Sequence, residues 1–449
     1  MRRFTALFLL GIILILNINV FAQKDVSIDK NTSVKATEEA KEEKKEIRDQ
    51  NILVPTKDGV QKATAEEAGK IEEYEKYSLE ELSKSYLLGD YQSGKILEAY
   101  NIDEVRPMAS TSKLVSIFVV FDKIKDGTIS KSDELTIDRE SSILGGSTFQ
   151  LKENDKMTVD DLIKASMVVS GNDAITALAK HISGSVEAFS VLMNKKCKDL
   201  GLKNAHMVNP TGLTNYAIED YNKMTTREMF ILSCELIKYY PEILNYTKEA
   251  YLKDEDRNFL EYNTNPILGI VPEIDGLKTG YTNASGRTVI STGLKKGIEG
   301  KSKDLRLVGI VTGCNGDWQR YVAIKRLMSK GFDNYEYTIF GTESKPIQNI
   351  NVENAQDAQT PVFIKSKGYA LVNKKENIKK DIKIISELKA PIEAGKKVGT
   401  IKYYSSGDLI FESDLIVKDK VYEKGILQRF VRIYEDIFKN IEREVSWIY

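Results

Sequence analysis

The chain has 449 residues, 41% of them hydrophobic, with 65 basic against 66 acidic side chains. That near-neutral balance leaves no electrostatic footprint for nucleic acid. Two histidines and three scattered cysteines supply neither the close ligand pairs of a zinc centre nor an even set for a disulfide framework, so no metal and no cofactor is expected.

Met1 to Ala22 carries Arg2 and Arg3, an apolar run from Ala6 to Leu16, and Val20-Phe21-Ala22 as a small-residue exit. This is the pattern of a secretory signal peptide, residues 1–22, cleaved after Ala22. The run falls short of the roughly 20 residues a spanning helix needs, and an uncleaved anchor is the other reading. Residues 23–76 are rich in Lys and Glu, most densely over 37–46. Mixed charge with few aromatics predicts a disordered or loosely helical spacer.

Ser110-Thr111-Ser112-Lys113 opens a largely apolar run, Leu114 to Val120, that reads as a buried helix. Ser-x-x-Lys also fits Ser27 to Lys30, in a polar tail, and Ser386 to Lys389, in a β-like stretch, so the string is weak by itself. Residues three apart share a helix face, which brings the Ser110 hydroxyl and the Lys113 amine within hydrogen-bond reach. A serine hydroxyl needs an adjacent base to act as a nucleophile, and lysine serves only without its proton. Its reference pKa of about 10.4 must fall, through burial and a neighbouring positive charge. Lys278 is the candidate for that charge.

Ser170-Gly171-Asn172 lies between two apolar helical stretches, Leu162 to Val169 and Ala174 to Ala179. The glycine predicts a tight turn that aims both side chains into a cleft. Ser170 would relay a proton towards the leaving group or the Lys113 amine, and Asn172 would bond a substrate amide. Helix capping is the plain alternative for both. His181 reads as the end of a helix and His206 as loop. No Gly-x-Ser-x-Gly elbow is present, so a Ser-His-Asp triad lacks its parts.

Lys278-Thr279-Gly280 precedes an alternating strand, Arg287 to Thr292, and is placed on or beside a strand edge, where an extended peptide can pair with backbone. Gly280 removes a side chain where substrate backbone must approach, and Lys278 with Thr279 offers donors to a carboxylate. A backbone N–H just after the motif, with that of Ser110, would form an oxyanion hole. An exposed strand-end lysine followed by a turn is the alternative.

Strand and helix patterns alternate from Ser85 to about Glu343, and residues 77–343 are assigned to one catalytic domain. Pro361 to Ile364, Asp381 to Ile385 and Thr400 to Tyr404 read as short strands, which makes 344–425 a small β-rich domain. In residues 426–449, Ile426, Phe430, Ile433, Ile437, Ile441 and Ile448 fall on one helical stripe, with Arg429, Arg432, Lys439 and Arg443 off it. That pattern suits an amphipathic helix at a membrane surface, or a helix packed on the β domain.

With these strings in this order, the chain resembles the D-alanyl-D-alanine carboxypeptidases of the low-molecular-weight penicillin-binding protein family. The likeness extends to Tyr86-Leu87-Leu88-Gly89-Asp90-Tyr91, Arg106-Pro107-Met108-Ala109, Asn209-Pro210-Thr211-Gly212-Leu213 and Asp275-Gly276-Leu277, over roughly Ser85 to Glu336. The β-lactamase pattern has aspartate where this chain has Gly171, and glycine there is common in the carboxypeptidases. The resemblance implies an α+β fold: a β-lactamase/transpeptidase-like domain, with an antiparallel sheet flanked by helices and a helical subdomain, followed by a β-rich domain and the amphipathic helix.

It further implies that Ser110 attacks the carbonyl between the two terminal D-alanines of a peptidoglycan stem peptide. Lys113 takes the proton, the last D-alanine leaves and water resolves the acyl-enzyme. Lys278 and Thr279 would hold the terminal carboxylate, and Arg320 falls about where the family places a further carboxylate-binding arginine, though it reads equally as an exposed helical residue. β-Lactam antibiotics would be covalent inhibitors, and the site of action the outer face of the cytoplasmic membrane or the cell-wall space. Two rivals remain: a β-lactamase, and a catalytically silent wall-binding or β-lactam-sensing protein. Against the first, the only string like a class A Glu-directed water site, Glu242-Ile243-Leu244-Asn245, starts 70 residues beyond Asn172.

Overall fold

The computed structural model describes residues 52–217, 220–342, 344–426 and, beyond these, 430, 431, 433–435, 437, 438 and 441. The predicted signal peptide and residues 23–51 of the spacer lie outside the described residues. Contacts divide the described residues into one unit of 52, 53 and 62–69 and another of 54–61 with those from 70 onward. Where the sequence predicts a spacer through 76, residues 53–74 are ordered. Strands β1 (Leu53–Thr56) and β2 (Gly59–Lys62) form a two-stranded sheet, and helix α1 (Ala65–Tyr74) follows. Two local features account for this order. Thr64 and Glu67 form a capping box, each side chain bonding the other's backbone N–H. Val54, Ala68 and Ile71 are buried apolar residues that the surrounding charge conceals in the sequence.

Strands β3 (Ser85–Asp90) and β4 (Ile96–Tyr100) begin the second unit's main sheet. A 3-10 turn, Ala109–Ser112, then feeds helix α2 (Lys113–Lys125). Its first nine residues are all buried, as expected of a helix that is apolar all round and central to the core. Helices α3 (Val159–Val168), α4 (Asn172–Ser183), α5 (Val186–Asp199) and α6 (Thr226–Tyr239) share its apolar cluster. Next come a hairpin of β5 (Tyr251–Asp254) and β6 (Phe259–Tyr262) and three long strands, β7 (Ile274–Thr282), β8 (Gly286–Lys295) and β9 (Leu305–Cys314). The main sheet runs β7-β8-β9-β3-β4, antiparallel throughout, which puts β7 at an edge. Helix α7 (Asp317–Asn334) packs on β9 and β8.

The chain continues through β10 (Tyr335–Phe340), β11 (Gln348–Ile350), β12 (Thr360–Ile364), β13 (Gly368–Asn373), β14 (Ile378–Ile384), β15 (Lys397–Ser405) and β16 (Asp408–Ile416). A second sheet, in the order β11-β12-β16-β15-β14, encloses its own core of Val362, Ile364, Val398, Ile401 and Leu415. Strand β13 pairs with β10, whose Tyr337 hydroxyl donates 2.6 Å to the buried Asp90 carboxylate on β3. Cys197, Cys234 and Cys314 are free, and burial pushes each thiol up to about 12. Beyond 425, the described stripe residues Ile426, Phe430, Ile433, Ile437 and Ile441 are helical and exposed. The basic residues flanking that stripe lie outside the described residues. No helix among the described residues is long and apolar enough to cross a membrane.

Candidate active site

Ser110 sits in the 3-10 turn and Lys113 is the first residue of α2, so the pair straddles the change of helix type. Two hydroxyls stabilise the turn: Thr111 donates to the Met108 carbonyl at 2.6 Å and Ser112 to that of Ala109 at 2.7 Å. Lys113 is fully buried. Its Nζ lies 3.1 Å from Ser110 Oγ, 2.7 Å from Asn172 Oδ1 and 3.0 Å from the Thr211 carbonyl. The amide of Asn172 is oriented by its own Nδ2, which donates to the Gly145 carbonyl at 2.8 Å, so Oδ1 faces the lysine.

These three partners define what a neutral amine does here. Its two N–H groups go to two oxygens that can only accept, Asn172 Oδ1 and Thr211 O, and the lone pair is left for the Ser110 hydroxyl. Burial holds the Lys113 pKa well below the ordinary lysine value. The positive charge of Lys278 lowers it further, and Asp173 opposes both. Asp173 is a buried carboxylate that accepts from three backbone N–H groups, those of Phe149 at 2.9 Å, Leu151 at 3.0 Å and Ala174 at 2.9 Å. It thereby ties the 145–151 loop to the start of α4.

Val168 ends α3, and the chain turns through Ser170, at φ 64°, into α4, capped by Gly171. The predicted turn between two helices is present. A Cβ on Gly171 would stand 3.0 Å from Asp173 Oδ1, so an aspartate there would set two carboxylates against each other. Ser170 is a buried residue, and its hydroxyl makes no hydrogen bond among the described residues. Asn172, expected to meet a substrate amide, spends its oxygen on Lys113 and one N–H on Gly145. Its second N–H is not used by these two bonds.

Lys278, Thr279 and Gly280 lie in edge strand β7. An ideal Cβ on Gly280 would stand 2.9 Å from the Ser110 nitrogen, so the strand runs against the Ser110 turn. Lys278 is buried, donates 3.1 Å to the Thr279 carbonyl, and has its pKa lowered to about 7 by burial and then by the Arg320 charge. Thr279 shares a 2.7 Å hydroxyl bond with Thr264. Arg320, on the first turn of α7, is largely buried rather than exposed. It pairs with Asp317 at 2.8 Å, and its Nε is buried without a partner among the described residues. A buried guanidinium with a spare donor, beside a second cation, suits an incoming carboxylate.

Sequence reasoning missed Asp173, Thr264 and the Thr211 carbonyl. The last is presented by a loop gathered on Asn209, whose Oδ1 accepts from Thr211 N–H, Thr211 hydroxyl and Gly212 N–H. Among the described residues no cluster of His, Cys, Asp and Glu fits a metal.

Residues 72–303 match the family described as D-alanyl-D-alanine carboxypeptidase, and 335–423 the one described as penicillin-binding protein 5, C-terminal domain. The chain is 30% identical over 363 residues to the D-alanyl-D-alanine carboxypeptidase DacF of Bacillus subtilis, covering 79% of this chain and 90% of that protein. Penicillin binding protein 5 of Haemophilus influenzae superposes with a TM-score of 0.56 at 29% identity, over 76% of this chain and 98% of that one. Penicillin-Binding Protein D2 of Listeria monocytogenes, solved in a cefotaxime-bound form, gives 0.50 at 28% identity, over 56% and 97%.

Proposed function

The chain belongs to the D-alanyl-D-alanine carboxypeptidase family of serine peptidases, and from that premise we propose that Ser110 is its nucleophile and Lys113 the general base. The observation that carries this reading is the Lys113 amine with two acceptors and one hydroxyl around it. Ser110 gives its proton to the Lys113 lone pair as Oγ attacks the carbonyl between the two terminal D-alanines of a stem pentapeptide. The N–H groups of Ser110 and of Tyr281, which follows Gly280, receive the oxyanion. Lys278, Thr279 and Arg320 hold the terminal carboxylate, and Gly280 lets the substrate backbone lie along β7. The Lys113 proton passes through the Ser170 hydroxyl to the departing nitrogen. D-Alanine leaves, and a water deprotonated by Lys113 releases the shortened peptide.

A β-lactam enters the same path as a cyclic amide and stays on Ser110, in keeping with the penicillin-binding relatives. We place the catalytic domain at 77–343 and the β-rich domain at 344–425. Export by residues 1–22 to the outer face of the cytoplasmic membrane and surface anchoring by 426–449 complete the reading. The test uses the full chain with labelled penicillin and a pentapeptide mimic. One adduct per molecule on the Ser110 peptide, with release of D-alanine, is expected. An adduct on another residue, no release, or rapid nitrocefin turnover would overturn the assignment.

The two buried lysines also set a pH profile. The plot of kcat/KM against pH, which reports the free enzyme, is expected to be bell-shaped. It rises as Lys113 loses its proton and falls near pH 7 as Lys278, with a pKa of about 7, loses the charge that attracts the carboxylate. Lys278→Arg keeps that charge and should move the falling limb to higher pH. A limb unmoved by this change would assign it to another group.

A further inference from the structure

The β1–β2 hairpin precedes the stretch that matches the family, which starts at residue 72. Its residues 54–61 nonetheless belong to the second unit. Val54 is fully buried, and Gly59, at φ 99°, lies so close to the Tyr262 ring that a Cβ there would stand 2.7 Å from it. Pro55, Thr56 and Lys57 form one wall of a cavity of about 380 Å³, and Tyr262, Trp318 and Tyr321 line it from other sides. The buried Tyr321 ring meets Trp318 edge to face at 5.8 Å between ring centroids, which backs Trp318 as an aromatic wall of the cavity.

The location of this cavity says what would enter it. Two of its lining residues, Thr264 and Arg320, are the partner of Thr279 and the cation beside Lys278. The cavity therefore opens at the proposed anchor for the terminal carboxylate, on the side of the leaving residue. Its volume falls in the range of small-molecule sites, roughly 300–1,000 Å³, far more than the methyl group of D-alanine fills.

We infer that this cavity receives the side chain of the leaving residue, and that the enzyme releases aromatic D-amino acids as well as D-alanine. The inference rests on the carboxypeptidase reading above and adds a specificity that the hairpin provides. The bond cleaved and the proton path are unchanged, with the aromatic residue departing as the free D-amino acid.

The test measures kcat/KM for acyl-D-Ala-D-Phe and acyl-D-Ala-D-Ala peptides with the full chain and with two variants, Thr56→Trp, which fills the cavity, and Trp318→Ala, which removes an aromatic wall. For the wild type the two substrates should agree within about tenfold. In each variant the D-Phe to D-Ala ratio should fall by about tenfold or more. A wild type that rejects D-Phe by more than about a hundredfold, or a ratio unchanged in both variants, overturns the inference while D-alanine release and the penicillin adduct still uphold the parent reading. Loss of adduct and release in the wild type overturns both.

Discussion

Lys113→Met is expected to slow acylation by labelled penicillin by about 10²–10⁴-fold, the range a positioned general base contributes. Methionine has similar length and fits an apolar site, but it has no lone pair for the Ser110 proton. Its cost to the fold is limited by two opposing effects. The Asn172 amide oxygen and the Thr211 carbonyl lose their donor, at about 1–3 kcal/mol each when buried, while the expense of burying an ionisable amine disappears. The melting temperature should therefore move little while the rate collapses. Lys113→Arg should fail as badly, because a guanidinium does not give up its proton. Acylation within about tenfold of wild type in either variant would mean that another group deprotonates Ser110.

The meeting of Lys113 with Ser110 was legible because it depends on local spacing: a three-residue offset at a helix start brings the two side chains together whatever the rest of the chain does. The Ser170 turn and the Lys278 strand were legible for the same reason, each being a short string with a single local conformation. What the sequence concealed is long-range or backbone chemistry. Asp173 reads as an ordinary acidic residue in the first turn of a helix, and only the fold shows Phe149 and Leu151 donating to it. Thr211 contributes a carbonyl, a group every residue has. Arg320 reads equally as a carboxylate-binding or an exposed helical residue until α7 is laid on the sheet and its side chain is buried beside Lys278. The hairpin at 53–62 was hidden by charged neighbours, since the side chain that Gly59 approaches, Tyr262, lies about 200 residues away in the chain.

Gly212→Ala is expected to reduce kcat/KM by about a hundredfold although the residue has no side chain to take part in the reaction. Its φ of 85° is in the left-handed region, and an added Cβ would stand 1.8 Å from the Ala109 carbonyl oxygen and 2.9 Å from the Ser110 nitrogen. Both are backbone atoms, so no rotamer change relieves the overlap and the 109–112 turn must move by an ångström or more. Misplacement on that scale costs about 10²-fold when the attacking atom must be aligned with its target. The conformational penalty alone is about 1–2 kcal/mol, and Gly127→Ala supplies the control for it. Gly127 has a φ of 78° at the end of α2, with nothing within 4 Å of its Cβ position. The control should lose thermal stability and acylate normally, whereas Gly212→Ala should lose both, with the rate loss persisting at temperatures where the protein is fully folded. Acylation at the wild-type rate in folded Gly212→Ala would show that the nucleophile turn is held by something other than its packing on the 209–213 loop.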